Sequence, residues 1–389
     1  MKRTTVVLGA MLLALTSACS GSESRDGNEG SDAPYRMLFV GPLSGPAASV
    51  GEAQTRGIKA GIEAVNASGG INGRDVELVT QDDGGDPTKA ITLLQQEMSK
   101  KKPDLVIPGV SSDVGLSMLP LLTERKILAM GGLTADAVND TEKYPYFFSA
   151  GQTLLSQGRV LAQYLVEEGH TKVAFLRPDS ALGISGLRVF ELGAEGTDLD
   201  VTDYKYDLTS VDLSDVVARV AADEPDVIVA NGYGAPVGYF LQARQKLKLD
   251  IPSVGDLTTC SQDITTLVPA ATLEGYKALC QAGLFPDWNP PGMEQFRELI
   301  GDEPFVQSLN AYSGMYDMVL VAQAAAEKAG STDTEAMAEA MLELPDSLAD
   351  KIVTYSTWSY TADDHLVQVP EEDYRIVDVR PMKNGQFVS

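Results

Sequence analysis

His170 and His365 are the chain's only histidines and so its whole supply of side chains that titrate near neutrality unaided. His170 stands in Gly169-His-Thr just before an apolar run and reads as a surface loop residue. His365 follows Asp363-Asp364 in a polar segment and also reads as exposed. Ser–His hydrolysis would need one of them beside a nucleophile. The chain has no G-x-S-x-G turn, no Walker A loop and no G-x-G-x-x-G after its first apolar run. The adjacent carboxylates Asp82 and Asp83 invite metal or acid–base chemistry. They lead, however, into Gly84-Gly85-Asp86-Pro87, which reads as a turn entering a helix, with Asp86 as cap and Pro87 as first helical residue. With two histidines and no paired-cysteine spacing, Cys260 and Cys280 do not make a zinc site. No catalysis, cofactor or metal is expected.

The N-terminus carries a different chemistry. Lys2 and Arg3 precede an apolar run from Val6 to Leu15, too short to span a bilayer and flanked as an export signal is. The following Leu15-Thr16-Ser17-Ala18-Cys19 resembles the lipobox of bacterial lipoproteins, which implies a signal peptide over residues 1–18 and acylation of Cys19. Two or more acyl chains give stable anchoring. Residues 19–34 have almost no large apolar side chain and read as a flexible tether. Export places Cys260 and Cys280 in an oxidising compartment, where twenty residues of separation allow one disulfide. The net charge of −25, from 55 acidic and 30 basic residues, repels nucleic acid and otherwise serves solubility.

These residues need a scaffold, and the 389-residue chain is long enough for two cores. Short apolar runs alternate with amphipathic stretches from Tyr35 onward. The runs predict strands at 36–40, 76–81, 105–108, 127–130, 172–176, 201–206, 227–230, 252–254 and 274–279. Helical faces fall between them, one made by Ile91, Leu94 and Met98 and another by Leu154, Val160, Leu161, Tyr164 and Leu165. Such alternation predicts parallel sheets covered by helices on both faces. The pattern runs to about residue 148 and restarts near Gly151, giving two doubly wound, Rossmann-like α/β lobes. Ligands of such sheets bind beyond the carboxyl ends of the strands, so facing lobes would share a cleft.

Gly41-Pro-Leu-Ser-Gly-Pro46, Gly57-Ile-Lys-Ala-Gly61, Val65-Asn-Ala-Ser-Gly-Gly-Ile-Asn-Gly73, Asp82–Pro87, Val110-Ser-Ser112, Tyr144-Pro-Tyr146, Gln157-Gly158 and Gln242-Ala-Arg244 occur in that order. The ordered set resembles type I periplasmic binding proteins of the leucine/isoleucine/valine-binding class, which serve ABC importers. The resemblance implies a hinge and an interlobe cleft, with one lobe from residues 35–149 plus 281–358 and the other from 150–280 plus 359–389. It also implies hinge crossings near 149–151, 279–282 and 358–361. In the first lobe, Ser112 and the turn Gly132-Leu133-Thr134 match the positions that receive a ligand carboxylate through hydroxyls and N–H groups. In the second, Tyr233 and Asp256 match the positions facing an ammonium. Two departures stand out: Val50 and Leu182 occupy places where the family has aromatic residues, so a branched aliphatic preference does not follow.

The expected function is that of an extracytoplasmic solute-binding lipoprotein of an ABC importer. It would be a monomer held at the cell membrane by lipid, facing periplasm or cell exterior. Its ligand would be an amino acid, branched-chain or other, or a related small carboxylate or amide. Its partner would be a membrane permease. A sensory lipoprotein reporting to a signalling partner is the alternative, and a hydrolase on the same fold the remote one.

Overall fold

The computed structural model describes residues 33–388 apart from Pro46, Val110, Leu154, Tyr233 and Gln262. The chain opens with β1 (Tyr35–Gly41), every residue of which is buried, as a strand covered on both faces must be. There follow α1 (Ala48–Ala67), β2 (Val76–Asp82), α2 (Pro87–Lys100), β3 (Leu105–Pro108), α3 (Ser112–Glu124), β4 (Leu128–Gly131) and β5 (Phe147–Ser149). These strands form one parallel sheet in the order β2-β1-β3-β4-β5, with Tyr35 opposite Val76 and Gly41 opposite Asp82. Met37 and Phe39 join the core beneath α1, while Leu38 and Val40 point into the core beneath α2 and α3.

The second sheet repeats the plan. It uses α4 (Leu155–Glu167), β6 (Lys172–Pro178), α5 (Ala181–Gly193), β7 (Asp200–Tyr206), α6 (Ser214–Ala222), β8 (Val227–Ala230), α7 (Ala235–Leu247), β9 (Ser253–Gly255) and β10 (Tyr276–Gln281). The chain then returns to the first sheet with α8 (Met293–Ile300), α9 (Leu309–Ala329) and α10 (Thr334–Met341). It then rejoins the second sheet with β11 (Tyr374–Asp378), which is antiparallel to β10, and closes with the short antiparallel pair β12 (Met382–Lys383) and β13 (Gln386–Phe387). The order is β11-β10-β9-β8-β6-β7. Again alternate residues divide: Val173 and Phe175 face one core, Ala174 and Leu176 the other. The result is two doubly wound α/β lobes.

Sequence reading placed nine of these strands to within two residues at either end. It missed β5 and β11, of three and five residues, because neither carries a helix–strand alternation of its own. The cap at Asp86 is present: its Oδ1 accepts from Thr88 N at 2.7 Å and Lys89 N at 3.1 Å. Asp82 and Asp83 are turn residues. Asp82 Oδ1 accepts from the N–H groups of Leu43, Ser44 and Gly84 at 2.9–3.1 Å, and Asp83 Oδ1 accepts from Gly85 N at 2.7 Å. Gly57 has a packing reason. A Cβ there would lie 2.1 Å from the Tyr312 carbonyl oxygen of α9, so only glycine lets α1 and α9 approach this closely.

His365 corrects an expectation. It is 5% exposed, stacks on Phe148 with ring centroids 4.1 Å apart, and has Nδ1 2.9 Å from the Phe147 carbonyl oxygen. Burial pushes its pKa down. The polar run Asp363-Asp364 does not expose it, because Asp364 is itself tied to Asn139 Nδ2 at 2.8 Å. Its role is packing beneath β5.

Candidate ligand-binding cleft

Both sheets have the 2-1-3-4-5 order in their parallel part, so each has a switch point where its first and third strands diverge. A cavity of about 830 Å³ opens beyond those carboxyl ends. Ser112 and Thr134 line it from the first lobe, and Leu182, Asn231, Asp256 and Thr258 from the second.

On the first-lobe side, Ser112 begins α3, where the helix leaves N–H groups unpaired and a partial positive charge. Thr134 follows β4. Among the described residues neither side-chain hydroxyl has a protein hydrogen-bond partner, and the N–H groups of Leu133 and Thr134 are not taken by another backbone carbonyl. The turn is held from below. Ser149 Oγ donates to the Leu133 carbonyl oxygen at 2.6 Å, with the Gly131 oxygen at 3.0 Å, and accepts from Gly151 N at 2.9 Å. This is a fixed set of donors suited to an oxyanion. Asp113, exposed in the first turn of α3, also lines the cavity and places a negative charge at its edge.

The second-lobe side is an acid held in place. Asp256 follows β9, and its Oδ2 accepts from Asn231 Nδ2 at 2.5 Å. Its Oδ1 accepts from Thr258 Oγ1 at 2.5 Å and Thr258 N at 3.2 Å. Burial pushes its carboxyl up to about 6, against the hydrogen bonds from Thr258 and Asn231, which favour the charged form. Asn231 is 3% exposed, and its Oδ1 has no partner among the described residues. The Asp256 loop is tied to β10 at Cys260 and Cys280, whose sulfur atoms lie within bonding distance and whose Cα atoms are 5.5 Å apart.

The remaining expected residues are placed differently. Leu133 is fully buried against Gly115 on the inner face of α3, so only its backbone is at hand. Gly132 and Val50 are not among the residues lining the cavity, and Val50 is half-buried in the first turn of α1. Tyr233 and Cys19 lie outside the described residues. Several lining residues were not foreseen as site residues: Gln152, Gln157, Ser185, Asn231, Gln281 and Asn310. Asn231 stands at the carboxyl end of β8, and Gln157 belongs to the Gln157-Gly158 pair. Asn310 carried no signal, because it reaches the cleft from α9 only after the chain has recrossed.

The apolar part of the lining comes from Leu161, Phe175, Val189, Phe190, Leu279 and Leu284. A cleft with an apolar wall, unpaired donors at one end and a held carboxylate at the other suits a small polar molecule. Among the described residues no group of three or more His, Cys, Asp or Glu side chains is arranged to hold a metal ion.

Residues 34–386 match the periplasmic binding protein family. The chain is 29% identical over 318 residues to the Leu/Ile/Val-binding protein homolog 2 of Brucella abortus, covering 79% of this chain and 82% of that protein. It also resembles the solved structure of LivJ from Streptococcus pneumoniae, a branched-chain amino acid transporter substrate-binding protein in complex with isoleucine. That likeness has a TM-score of 0.70 at 18% identity, over 92% of this chain and 98% of LivJ. A solute-binding protein from Rhodopseudomonas palustris, solved in complex with benzoate, matches with a TM-score of 0.66 at 19% identity over 92% and 95% of the two chains. The chain therefore belongs to the periplasmic binding protein family, as a type I solute-binding protein of the leucine/isoleucine/valine-binding class.

Proposed function

We propose that this protein is the ligand-capturing lipoprotein of an ABC importer, closing on an amino acid or a closely related small carboxylate or amide. The observation that carries this reading is the cleft itself, with unpaired hydroxyls and N–H groups at Ser112 and Leu133–Thr134 on one lobe and the held Asp256 on the other. A zwitterion places its carboxylate at the first and its ammonium at the second, where Asn231 Oδ1 supplies a further acceptor. Tyr233 is proposed to join this second end.

Binding is by hinge closure: contacts to both lobes favour the closed arrangement. The hinge is proposed at the chain crossings. There Ser149–Thr153 runs beside His365–Val367, with Ser149 N donating to the His365 oxygen, Thr153 N to the Val367 oxygen and Val367 N to the Gly151 oxygen at 2.8–3.0 Å. Lipid at Cys19 and the 19–34 tether hold the domain near a membrane permease, outside the cytoplasm, and the Cys260–Cys280 bond forms there.

Leu182 gives the cleft an aliphatic side chain where the family resemblance implies an aromatic, and Val50 does not line it, so the ligand's side chain is open. The Rhodopseudomonas palustris neighbour, with its bound benzoate, shows that the fold accommodates a carboxylate without an amine. Thermal unfolding of residues 34–389 against amino acids, amides and aromatic acids tests the proposal. A ligand at 100 times its Kd stabilises by about 2.7 kcal/mol, a readable rise in midpoint. A rise with an amino acid or amide supports the reading, and no rise across the panel overturns it.

A further inference from the structure

At the opposite edge of the second sheet from the cleft lies a separate cavity of about 530 Å³, beside the amino ends of β9 and β10. Its floor is Arg244 of α7, which is 7% exposed. Three arginines are buried among the described residues, and two are paired: Arg36 with Glu97 at 2.5 Å and Arg177 with Asp203 at 2.8 Å. Arg244 is not. Its one hydrogen bond runs from Nη2 to the Ile251 carbonyl oxygen at 3.4 Å, and Nε has no partner.

In a chain with 55 acidic side chains, a buried guanidinium with no carboxylate in salt-bridge contact is unexpected, because a buried charge without a direct partner is costly. The exposed Asp250 acts on Arg244 only from a distance. A guanidinium offers five N–H donors in a planar fork, and here most of them await an acceptor. Lys277, half-buried over the Tyr164 ring at 5.8 Å, and the exposed Lys248 add positive charge around the cavity. His170 lines it as well. The acids on the lining, Glu168, Asp250 and Glu274, are all exposed at its rim, where solvent screens them. At the mouth three carboxylates face two lysines, while the floor carries the positive charge of Arg244 alone.

We propose that this cavity is a second binding site, independent of the cleft, for a small free oxyanion that takes the Arg244 guanidinium as its main partner. A phosphate or carboxylate group accepts two parallel N–H bonds from such a fork and gains a further charge contact from Lys277 or Lys248.

The test is thermal unfolding of residues 34–389 titrated with inorganic phosphate, and separately with succinate, at constant ionic strength set by sodium chloride. The expected result is a saturable rise in midpoint with at least one of the two oxyanions, and which one responds assigns the anion class. The rise should persist in the Ser112→Ala/Asp256→Ala cleft variant and disappear in Arg244→Met. Because Arg244→Met alters a buried position, the rim variant Lys248→Gln/Lys277→Gln is measured beside it and should weaken apparent affinity about tenfold. No saturable effect with either anion overturns the proposal. So does an undiminished effect in both Arg244→Met and the rim variant, or its loss in the cleft variant.

Discussion

Asp256 is under two opposed influences, burial that disfavours its charge and hydrogen bonds from Asn231 and Thr258 that favour it. Their balance leaves it titrating at about 6. An ammonium ligand needs the ionised form. Affinity for an amino acid should therefore be flat above about pH 7 and fall about tenfold per pH unit below about 6, while a ligand lacking the amine should show no such loss. Calorimetric titration between pH 5 and 8 reads this. A pH-independent amino-acid affinity would separate Asp256 from the ligand. Leu182 offers the complementary experiment. Leu182→Tyr places an aromatic in the lining of the cleft and should tighten binding of a bulky aliphatic amino acid, with fluorescence or calorimetric Kd as the measure.

The elements hold these residues through a few non-local ties. Asp317 on α9 is fully buried and accepts from Val353 N at 2.9 Å and Thr354 N at 2.7 Å, fixing the segment that leads back towards the second lobe. Burial pushes its carboxyl up to about 7, above the unfolded value of 3.8. The folded state thus binds more protons than the unfolded one between those limits. This group's contribution to stability is present in full at low pH and is lost as pH rises towards and through 7. Asp317→Asn keeps the shape but turns an amide donor towards one of the two N–H groups. It should cost about 1–3 kcal/mol in denaturant unfolding and remove that part of the pH dependence. Replacing Cys260 and Cys280 by serine should cost about 2–4 kcal/mol and weaken ligand binding, because the Asp256 loop loses its tie to β10.

The parallel strands were legible because each is a short apolar run bounded by turn residues, and the cap at Asp86 was legible because Asp-Pro before an amphipathic stretch has one good use. The Ser112, Thr134 and Asp256 positions followed from strand ends together with family likeness. What stayed hidden depends on chain crossings. β11 pairs antiparallel at an edge, His365 is buried by a segment 218 residues away in sequence, and Asn310 arrives at the cleft from a helix that begins beyond the last parallel strand. Polarity in sequence could not show these, because the contacts that override it are long-range.

At the scale of the molecule, the two lobes meet at a shared cleft and are joined by segments that hydrogen-bond to one another, the arrangement a hinge requires. The proposed anchor is tested in cells: Cys19→Ala should move the protein from the membrane fraction to the soluble exported fraction, and retention at the membrane would contradict lipidation. The central claim is that one ligand bridges both lobes, its carboxylate on Ser112 and Thr134 and its amine on Asp256. The most direct measurement is calorimetric titration of the best amino-acid ligand into the wild-type protein and into Ser112→Ala/Asp256→Ala. The account predicts saturable one-to-one binding to the first and loss of at least about 100-fold in affinity in the second, with both proteins folded. Equal affinity in the two would place the ligand elsewhere and contradict it.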